Sequence, residues 1–159
     1  MNPLNYTALS EAKVAPVVDA LAQLLADLQI YYTNLRGFHW NVVGPQFFPF
    51  HEQFEHLYNS VNEKVDEVAE RILQLGATPE HRYSEYVKRA NVKDTAVVRS
   101  GEEGMHNVLD TLKLLIAQER KVLAAAQEAG DEVTAAIMSD YLRGQEKQVW
   151  MLTATFTKA

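Results

Sequence analysis

The sequence predicts an all-α protein built as a bundle of four long helices. Apolar residues recur at helical spacing in four long segments, and no segment alternates apolar and polar residues as a strand would. Glycine and proline are sparse, and the prolines fall near the probable ends of these segments. At 159 residues the chain can form a sizeable core, so we expect one domain over residues 1–159 that begins with a short tail, residues 1–12.

The first two long helices are predicted on either side of a sharp turn. Apolar positions from Val14 onward follow the helical period for about 26 residues. Gly44-Pro45 then has the chemistry of a turn. A second helix should begin near Phe47 and end at Gly76, since glycine suits the position just after a helix and Pro79 bars continuation.

The remaining chain is predicted to hold a long connection and two further helices. Residues 77–99 are long for a plain connection, which suggests a lid or a crossover between parallel helices, with a short helix beginning near Ser84. Ser100 and Glu103 form a capping box that opens the third long helix, and Asp131 caps the fourth. This order predicts a ferritin-like four-helix bundle with a long crossover between helices 2 and 3. The alternative is an up-down-up-down bundle, which the long connection disfavours.

Composition and charge narrow the possible classes of function. The chain has no cysteine, which excludes disulfides and thiolate metal sites. Its formal net charge of −6 argues against generic attraction to nucleic acid or anionic lipid. The amino terminus has neither the basic nor the apolar region of a signal peptide, and no run of about 18 apolar residues predicts a transmembrane helix. We therefore expect a cytoplasmic protein with no membrane partner.

The stretch around the first turn and along the second helix carries the candidate metal ligands. Two pairs are spaced four residues apart, His51 with Glu55 and Asp66 with Glu70, so each pair lies on one helix face. His39 precedes the turn and could join the His51 end. Imidazole nitrogens and carboxylate oxygens together suit iron, manganese or zinc. The sequence therefore predicts a metal site in this region.

A structural role for the same residues is the competing interpretation. Acidic residues beside Lys64 and Arg71 usually form a solvated, salt-bridged helix face, and a lone histidine is more often structural. His56 should face elsewhere, because it lies about 100° around the helix from its neighbour at position 55. His81 and His106 fit surface positions in a loop and in a first helical turn.

A di-iron site inside the bundle is not predicted. Such a site needs an E-x-x-H motif on each of two helices. The chain offers one, from Glu103 to His106, whereas Val149 stands where a histidine should follow Glu146. Glu103 is better explained as the acid of the capping box.

The length of the second helix separates its two candidate ligand pairs. His51 and Asp66 are 15 residues apart, which is about 22 Å along an α-helix. Metal–ligand bonds are about 2 Å long, so one ion cannot bind both ends of the helix within one chain. We therefore predict that a complete site forms between two chains. An antiparallel two-fold pairing of this helix would create two identical sites per dimer.

The sequence around these ligands resembles that of a known family. R-G-F-H-W-N-V-V-G-P-x-F-x-x-x-H-x-x-F-E and D-E-V-A-E-R-I-x-x-L-G-x-x-P look like the two signature blocks of the Dps miniferritins (DNA-binding proteins from starved cells) of the ferritin-like superfamily. The resemblance implies a ferroxidase centre with His39, His51 and Glu55 from one subunit and Asp66 and Glu70 from its partner. Most members carry aspartate at the position of Glu55, whose longer side chain should still reach a metal.

The same resemblance implies an assembly and a reaction. It implies a hollow dodecamer that oxidises Fe(II) to Fe(III), preferentially with hydrogen peroxide, stores ferric mineral and protects against oxidative stress. Zn(II) is a possible competitor at such nitrogen and oxygen ligands. Trp40, beside His39, could supply or trap an electron, or simply pack at an interface. The start of the last helix lines the family's entry pores, where Glu132 is a better candidate than Asp131, the expected N-cap.

DNA binding is not expected, although the family name suggests it. Family members that bind DNA as an acidic shell generally use a flexible, lysine-rich terminal tail. The first twelve residues here contain no lysine or arginine, and Lys158 is the one basic residue after Phe156. Because DNA binding needs several cationic contacts with phosphates, a non-enzymatic DNA-compacting shell is the disfavoured alternative to a ferroxidase.

Overall fold

Six helices make up the computed structural model, which describes residues 1–158. Four helices are long and two are short: α1 (Leu4–Thr7), α2 (Glu11–Asn41), α3 (Phe47–Gln74), α4 (Tyr83–Arg89), α5 (Gly101–Ala129) and α6 (Glu132–Phe156). α2 packs against α3 and α5, α5 packs against α6, and α4 lies on α2 within the crossover. The predicted ferritin-like bundle with a long crossover that carries a short helix is therefore confirmed.

The amino-terminal segment, predicted to be a short tail, contains a short helix. Residues 1–12 include the one-turn α1, whose Leu4 is buried in the core, and the first two residues of α2. The side-chain oxygen of Asn2 accepts a hydrogen bond from the Leu4 amide at 3.0 Å. The backbone oxygen of Ser10 accepts from the amides of Lys13 and Val14, each at 3.0 Å, so α2 begins three residues before the predicted start at Val14.

The later helix ends follow the capping signals in the sequence. The Ser100 hydroxyl accepts a hydrogen bond from the Glu103 amide at 3.3 Å and opens α5. Gly130 ends this helix with a φ of 70°, a conformation that glycine adopts without a steric penalty. The Asp131 carboxylate then accepts from the Thr134 amide at 3.0 Å and opens α6.

Two glycines let α5 approach the start of α3. A Cβ atom on Gly101 would lie 2.0 Å from the ring of Phe50, and one on Gly104 would lie 2.6 Å from the ring of Phe54. Both distances are well below van der Waals contact. The glycines therefore fix how closely these two helices cross, next to the turn that precedes α3.

Polar side chains of α2 hold the crossover in place. The buried carboxylate of Asp27 accepts hydrogen bonds from the amides of Asn91 and Val92 at 2.6 and 3.0 Å. The side chain of Asn34 donates to the backbone oxygen of Lys93 at 2.8 Å. Of the two alternatives for residues 77–99, a crossover that is fixed against the bundle fits these bonds better than a lid.

By length and composition α2 could span a membrane. In the bundle, however, Leu21, Leu24, Leu28 and Leu35 of this helix are fully buried and form the middle of the core. A helix surrounded by others is expected to be apolar on most of its faces. The core position of α2 accounts for its composition.

Candidate metal centre

A pair of histidines lies where α2 ends and α3 begins. His39 is in the last turn of α2, and His51 is in the second turn of α3. Gly44, with a φ of 111°, helps to reverse the chain between them. Nδ1 of each histidine lies 2.8 Å from the backbone oxygen of the other. The two rings stack with centroids 3.7 Å apart and an interplanar angle of 18°.

The reciprocal bonds define which ring nitrogen of each imidazole carries a hydrogen. A carbonyl oxygen can only accept a hydrogen bond, so Nδ1 of His39 and Nδ1 of His51 each carry a hydrogen. In the neutral ring the lone pair is then on Nε2, which is the atom left to bind a metal ion. Metal-binding histidines usually donate their other ring N–H in this way, because the bond fixes both the tautomer and the ring orientation.

Two aromatic residues pack around the histidine pair. The ring of Phe47 stacks on that of His51 with centroids 4.8 Å apart, and Tyr58 meets His39 edge-on at 5.3 Å. His39 is buried and His51 is half-buried. Sequence reasoning did not identify either aromatic residue, although Phe47 lies four residues before His51 and therefore on the same helix face.

Three exposed carboxylates of α3 are the other predicted ligands. Among residues 1–158, Glu55, Asp66 and Glu70 make no hydrogen bond or ion pair through their carboxylate oxygens. The basic residues that would neutralise them on a solvated helix face are engaged elsewhere. Lys64 binds the preceding turn of α3, and Arg71 binds α6. These carboxylates are therefore on a solvated face, as the competing interpretation has it, but they are not salt-bridged within residues 1–158.

The predicted ligands do not form one cluster within a chain. The turn brings His39 and His51 together, but Asp66 and Glu70 lie four or more turns further along α3, at 1.5 Å per residue. Within residues 1–158, no three His, Cys, Asp or Glu side chains are close enough to hold one metal ion. A single chain therefore presents two separated groups of candidate ligands.

Three exposed apolar side chains lie within four residues of His39 or His51 in the sequence. Trp40, Val43 and Phe48, which we call the apolar rim, are 65%, 56% and 73% exposed. The guanidinium of Arg36 lies 5.1 Å from the centre of the Trp40 ring, within the range of a cation–π contact. Large apolar groups clustered on a surface usually mark a site of protein association.

The two candidate pore residues differ in their surroundings. Asp131 is 1% exposed, and its carboxylate binds Arg71 at 2.7 Å and caps α6. Glu132, one residue later, is exposed in the first turn of the same helix. Since the carboxylate of Asp131 is already bonded inside the chain, Glu132 is the candidate whose carboxylate is accessible to ions in solvent.

The bundle interior has a different acid from those considered in the sequence. Glu103 and Glu146 are exposed, and His106 is also exposed and stacks on Phe156 with ring centroids 3.8 Å apart. One buried acid is Glu119 of α5, which is 0% exposed. Burial raises the pKa of Glu119 to about 7, and a hydrogen bond and a nearby lysine oppose that rise.

The chain is similar to known proteins along most of its length. The Ferritin-like domain family matches residues 18–159. The DNA protection during starvation protein of Porphyromonas gingivalis is 55% identical over 155 residues, which cover 98% of each chain. The crystal structure of the Dps protein from Vibrio cholerae O1, described as a member of a broad superfamily of ferritin-like diiron-carboxylate proteins, is 44% identical with a TM-score of 0.91 and 94% of each chain covered. The Dps protein from Bacillus brevis is 33% identical with a TM-score of 0.87, over 92% of this chain and 98% of that one.

Proposed function

Because the chain belongs to the Dps family of ferritin-like proteins, we propose that it is a ferroxidase that oxidises Fe(II) and stores ferric mineral in a shell. The observation that carries the proposal is the reciprocal bonding of His39 and His51, which leaves Nε2 of each ring free as a ligand. The second support is the set of exposed carboxylates on α3 that have no partner within residues 1–158. Nitrogen and carboxylate ligands together suit iron.

The complete site is proposed to form between two chains. His39, His51 and Glu55 of one chain would face Asp66 and Glu70 of a partner whose α3 runs antiparallel to the first. A two-fold interface is self-complementary, so each dimer would hold two identical sites. A second chain is needed because the separation along α3 prevents one chain from supplying all five ligands to one ion.

The apolar rim supports this placement of the interface. Trp40, Val43 and Phe48 are exposed in one chain and lie within four residues of His39 or His51 in the sequence. A partner that covers the histidines would also remove these groups from water, which favours association. In that position Trp40 would lie next to the iron site and could supply or trap an electron.

The proposed chemistry treats Fe(II) and hydrogen peroxide as substrates. Two Fe(II) ions and two protons react with one peroxide to give two Fe(III) ions and two water molecules. Because the two irons together deliver both electrons, the O–O bond is cleaved without releasing a hydroxyl radical. Carboxylates stabilise Fe(III) more than Fe(II), since the electrostatic attraction grows with the charge on the ion. Zn(II), which the same ligands would bind, should act as an inhibitor.

Storage requires a closed assembly and an entrance for iron. We propose a cytoplasmic dodecamer that protects against oxidative stress by consuming both Fe(II) and peroxide. Glu132 is proposed to line the entrance, because it is exposed in the first turn of α6. The charge of −6 on each chain, repeated around a shell, would attract cations to it.

Iron oxidation by the purified, iron-free protein tests the proposal. We expect anaerobic addition of hydrogen peroxide to oxidise two Fe(II) ions per peroxide, faster than air-saturated buffer does. The solution mass should be that of twelve chains of 18.0 kDa. One iron oxidised per peroxide, with hydroxyl radical detected by a spin trap, would contradict the paired-iron chemistry. A monomeric mass would contradict the shell.

DNA compaction is the second candidate function, because the relative from Porphyromonas gingivalis is named for DNA protection. The chain has no basic residue before Lys13, and its formal charge is −6. We therefore expect the purified shell not to retard plasmid DNA in a gel at about 150 mM salt, where exposed charges are screened beyond about 8 Å. The same shell with a lysine-rich tail appended to its amino terminus serves as the positive control. Retardation by the unmodified shell would favour the DNA-compacting function.

A further inference from the structure

A small chamber lies between the four long helices, and the proposed iron site does not use it. Its volume is about 40 Å³. All four long helices contribute to its wall: Tyr31 from α2, Lys64 from α3, Leu115 from α5 and Gln145 from α6. Four aliphatic residues complete the wall together with Ser60 and Gln148.

Two buried polar atoms in this wall have no hydrogen-bond partner among residues 1–158. They are the hydroxyl of Tyr31 and the side-chain oxygen of Gln145, and these residues are 2% and 6% exposed. A buried polar group that loses its partner in water without gaining another destabilises the fold. Lys64 donates to the Ser60 hydroxyl at 2.8 Å, and its ammonium group has three hydrogens to donate.

We propose that the chamber is a binding site for an ordered water molecule. The water accepts hydrogen bonds from the Tyr31 hydroxyl and the Lys64 ammonium group, and it donates one to the side-chain oxygen of Gln145. The volume is sufficient, since a cavity holds a water when about 10–15 Å³ is accessible to it and two to four polar partners are present. The partners here number three.

The charges around the chamber favour a neutral ligand. Lys64 lines the wall and would repel a cation. The side-chain nitrogen of Gln145 donates to Glu119 at 2.6 Å, and a charged Glu119 would disfavour an anion. Water satisfies both a donor and an acceptor without adding charge to the core.

The bound water would join four helices into one polar network. Through it, Tyr31 of α2 and Lys64 of α3 connect to Gln145 of α6, which already binds Glu119 of α5. A buried network of this kind stabilises one arrangement of the helices as its members gain partners, and the water would serve two of the three network atoms that lack one within residues 1–158, leaving Oε2 of Glu119. The chamber therefore contributes to the packing of the bundle rather than to iron chemistry.

The variant Tyr31→Phe tests the proposal, because it removes one hydroxyl and keeps the ring. If the hydroxyl binds water, we expect the melting temperature of the iron-free shell to fall by about 2–4 °C. Tyr86→Phe is the matched control, since Tyr86 is also buried and its hydroxyl donates to the backbone oxygen of Glu80. The two variants should lose similar stability. An unchanged or higher melting temperature for Tyr31→Phe alone would overturn the proposal, because removing an unsatisfied hydroxyl should not destabilise the fold.

High-resolution crystal structures give an independent measurement. In the wild type we expect electron density for a water within hydrogen-bonding distance of Tyr31, Lys64 and Gln145. Xenon applied under pressure should not enter a hydrated polar chamber, whereas dry apolar cavities bind it. An empty chamber, or one that takes up xenon, would overturn the proposal.

Discussion

The variants His51→Ala and Asp66→Ala should each lose peroxide-driven Fe(II) oxidation at the centre, and co-assembly of the two should restore part of it. Each substitution removes one proposed ligand from every site in the shell. Since even the outer partners of metal ligands affect activity by about 10–100-fold, we expect a loss of more than about a hundredfold. The measurement is the initial rate of Fe(II) oxidation per chain with peroxide under anaerobic conditions.

Co-assembly distinguishes a site between chains from a site within one chain. In a mixed dimer, one site lacks both ligands, and the other keeps the intact His51 of one chain and the intact Asp66 of its partner. Random pairing of equal amounts makes half of the dimers mixed, so about a quarter of all sites should be complete. The co-expressed shell should then show about a quarter of the wild-type rate. No recovery in shells that contain both chains would contradict the two-chain site.

His56→Ala is the matched control for this experiment. His56 is an exposed histidine of the same helix, but it lies about 100° around the helix from the residue next to it, Glu55. We expect this variant to keep the wild-type rate and melting temperature. A loss equal to that of His51→Ala would mean that the rate reports general damage to α3 instead of loss of a ligand.

The separation of the two candidate ligand pairs within one chain could be predicted from the sequence because it depends on one geometric constant. The rise of 1.5 Å per residue places His51 and Asp66 too far apart for one ion, whatever the rest of the fold is. The reciprocal bonding of His39 and His51 could not be predicted in this way. It depends on how the turn before α3 positions two backbone oxygens, and the residue pattern carries no information about that geometry.

The partners of charged residues on α3 could not be predicted for a similar reason. In the competing interpretation, Lys64 and Arg71 neutralise the acidic residues next to them on the helix surface. Instead, Lys64 reaches the chamber inside the bundle, and Arg71 pairs with Asp131, which is 60 residues away in sequence. Helical periodicity predicts which face a residue lies on, but a long side chain at the edge of that face can turn inward when another helix offers a partner.

Arg71 and its neighbour Glu70 should therefore respond to substitution in opposite ways. Arg71 is 7% exposed and binds Asp131 at 2.7 Å, Thr134 at 2.8 Å and Gln74 at 2.9 Å, which ties the end of α3 to the start of α6. Arg71→Met leaves the carboxylate of Asp131 buried without its partner, so we expect a loss of about 3–5 kcal/mol in the free energy of unfolding.

Glu70 is exposed and makes no ion pair within residues 1–158. Glu70→Gln should change stability by less than about 0.5 kcal/mol while it abolishes iron oxidation.

A double variant separates the buried charge from the other contacts of Arg71. Arg71→Met combined with Asp131→Asn removes both charges, and asparagine can still cap α6. We expect it to be more stable than Arg71→Met alone, because most of the loss in the single variant comes from an unpaired buried charge. Denaturant unfolding of the iron-free protein at one fixed chain concentration provides the comparison, since subunit association also contributes to stability. If the double variant were less stable than Arg71→Met, or if Glu70→Gln unfolded as easily as Arg71→Met, the assignment of Arg71 to structure and Glu70 to iron would be wrong.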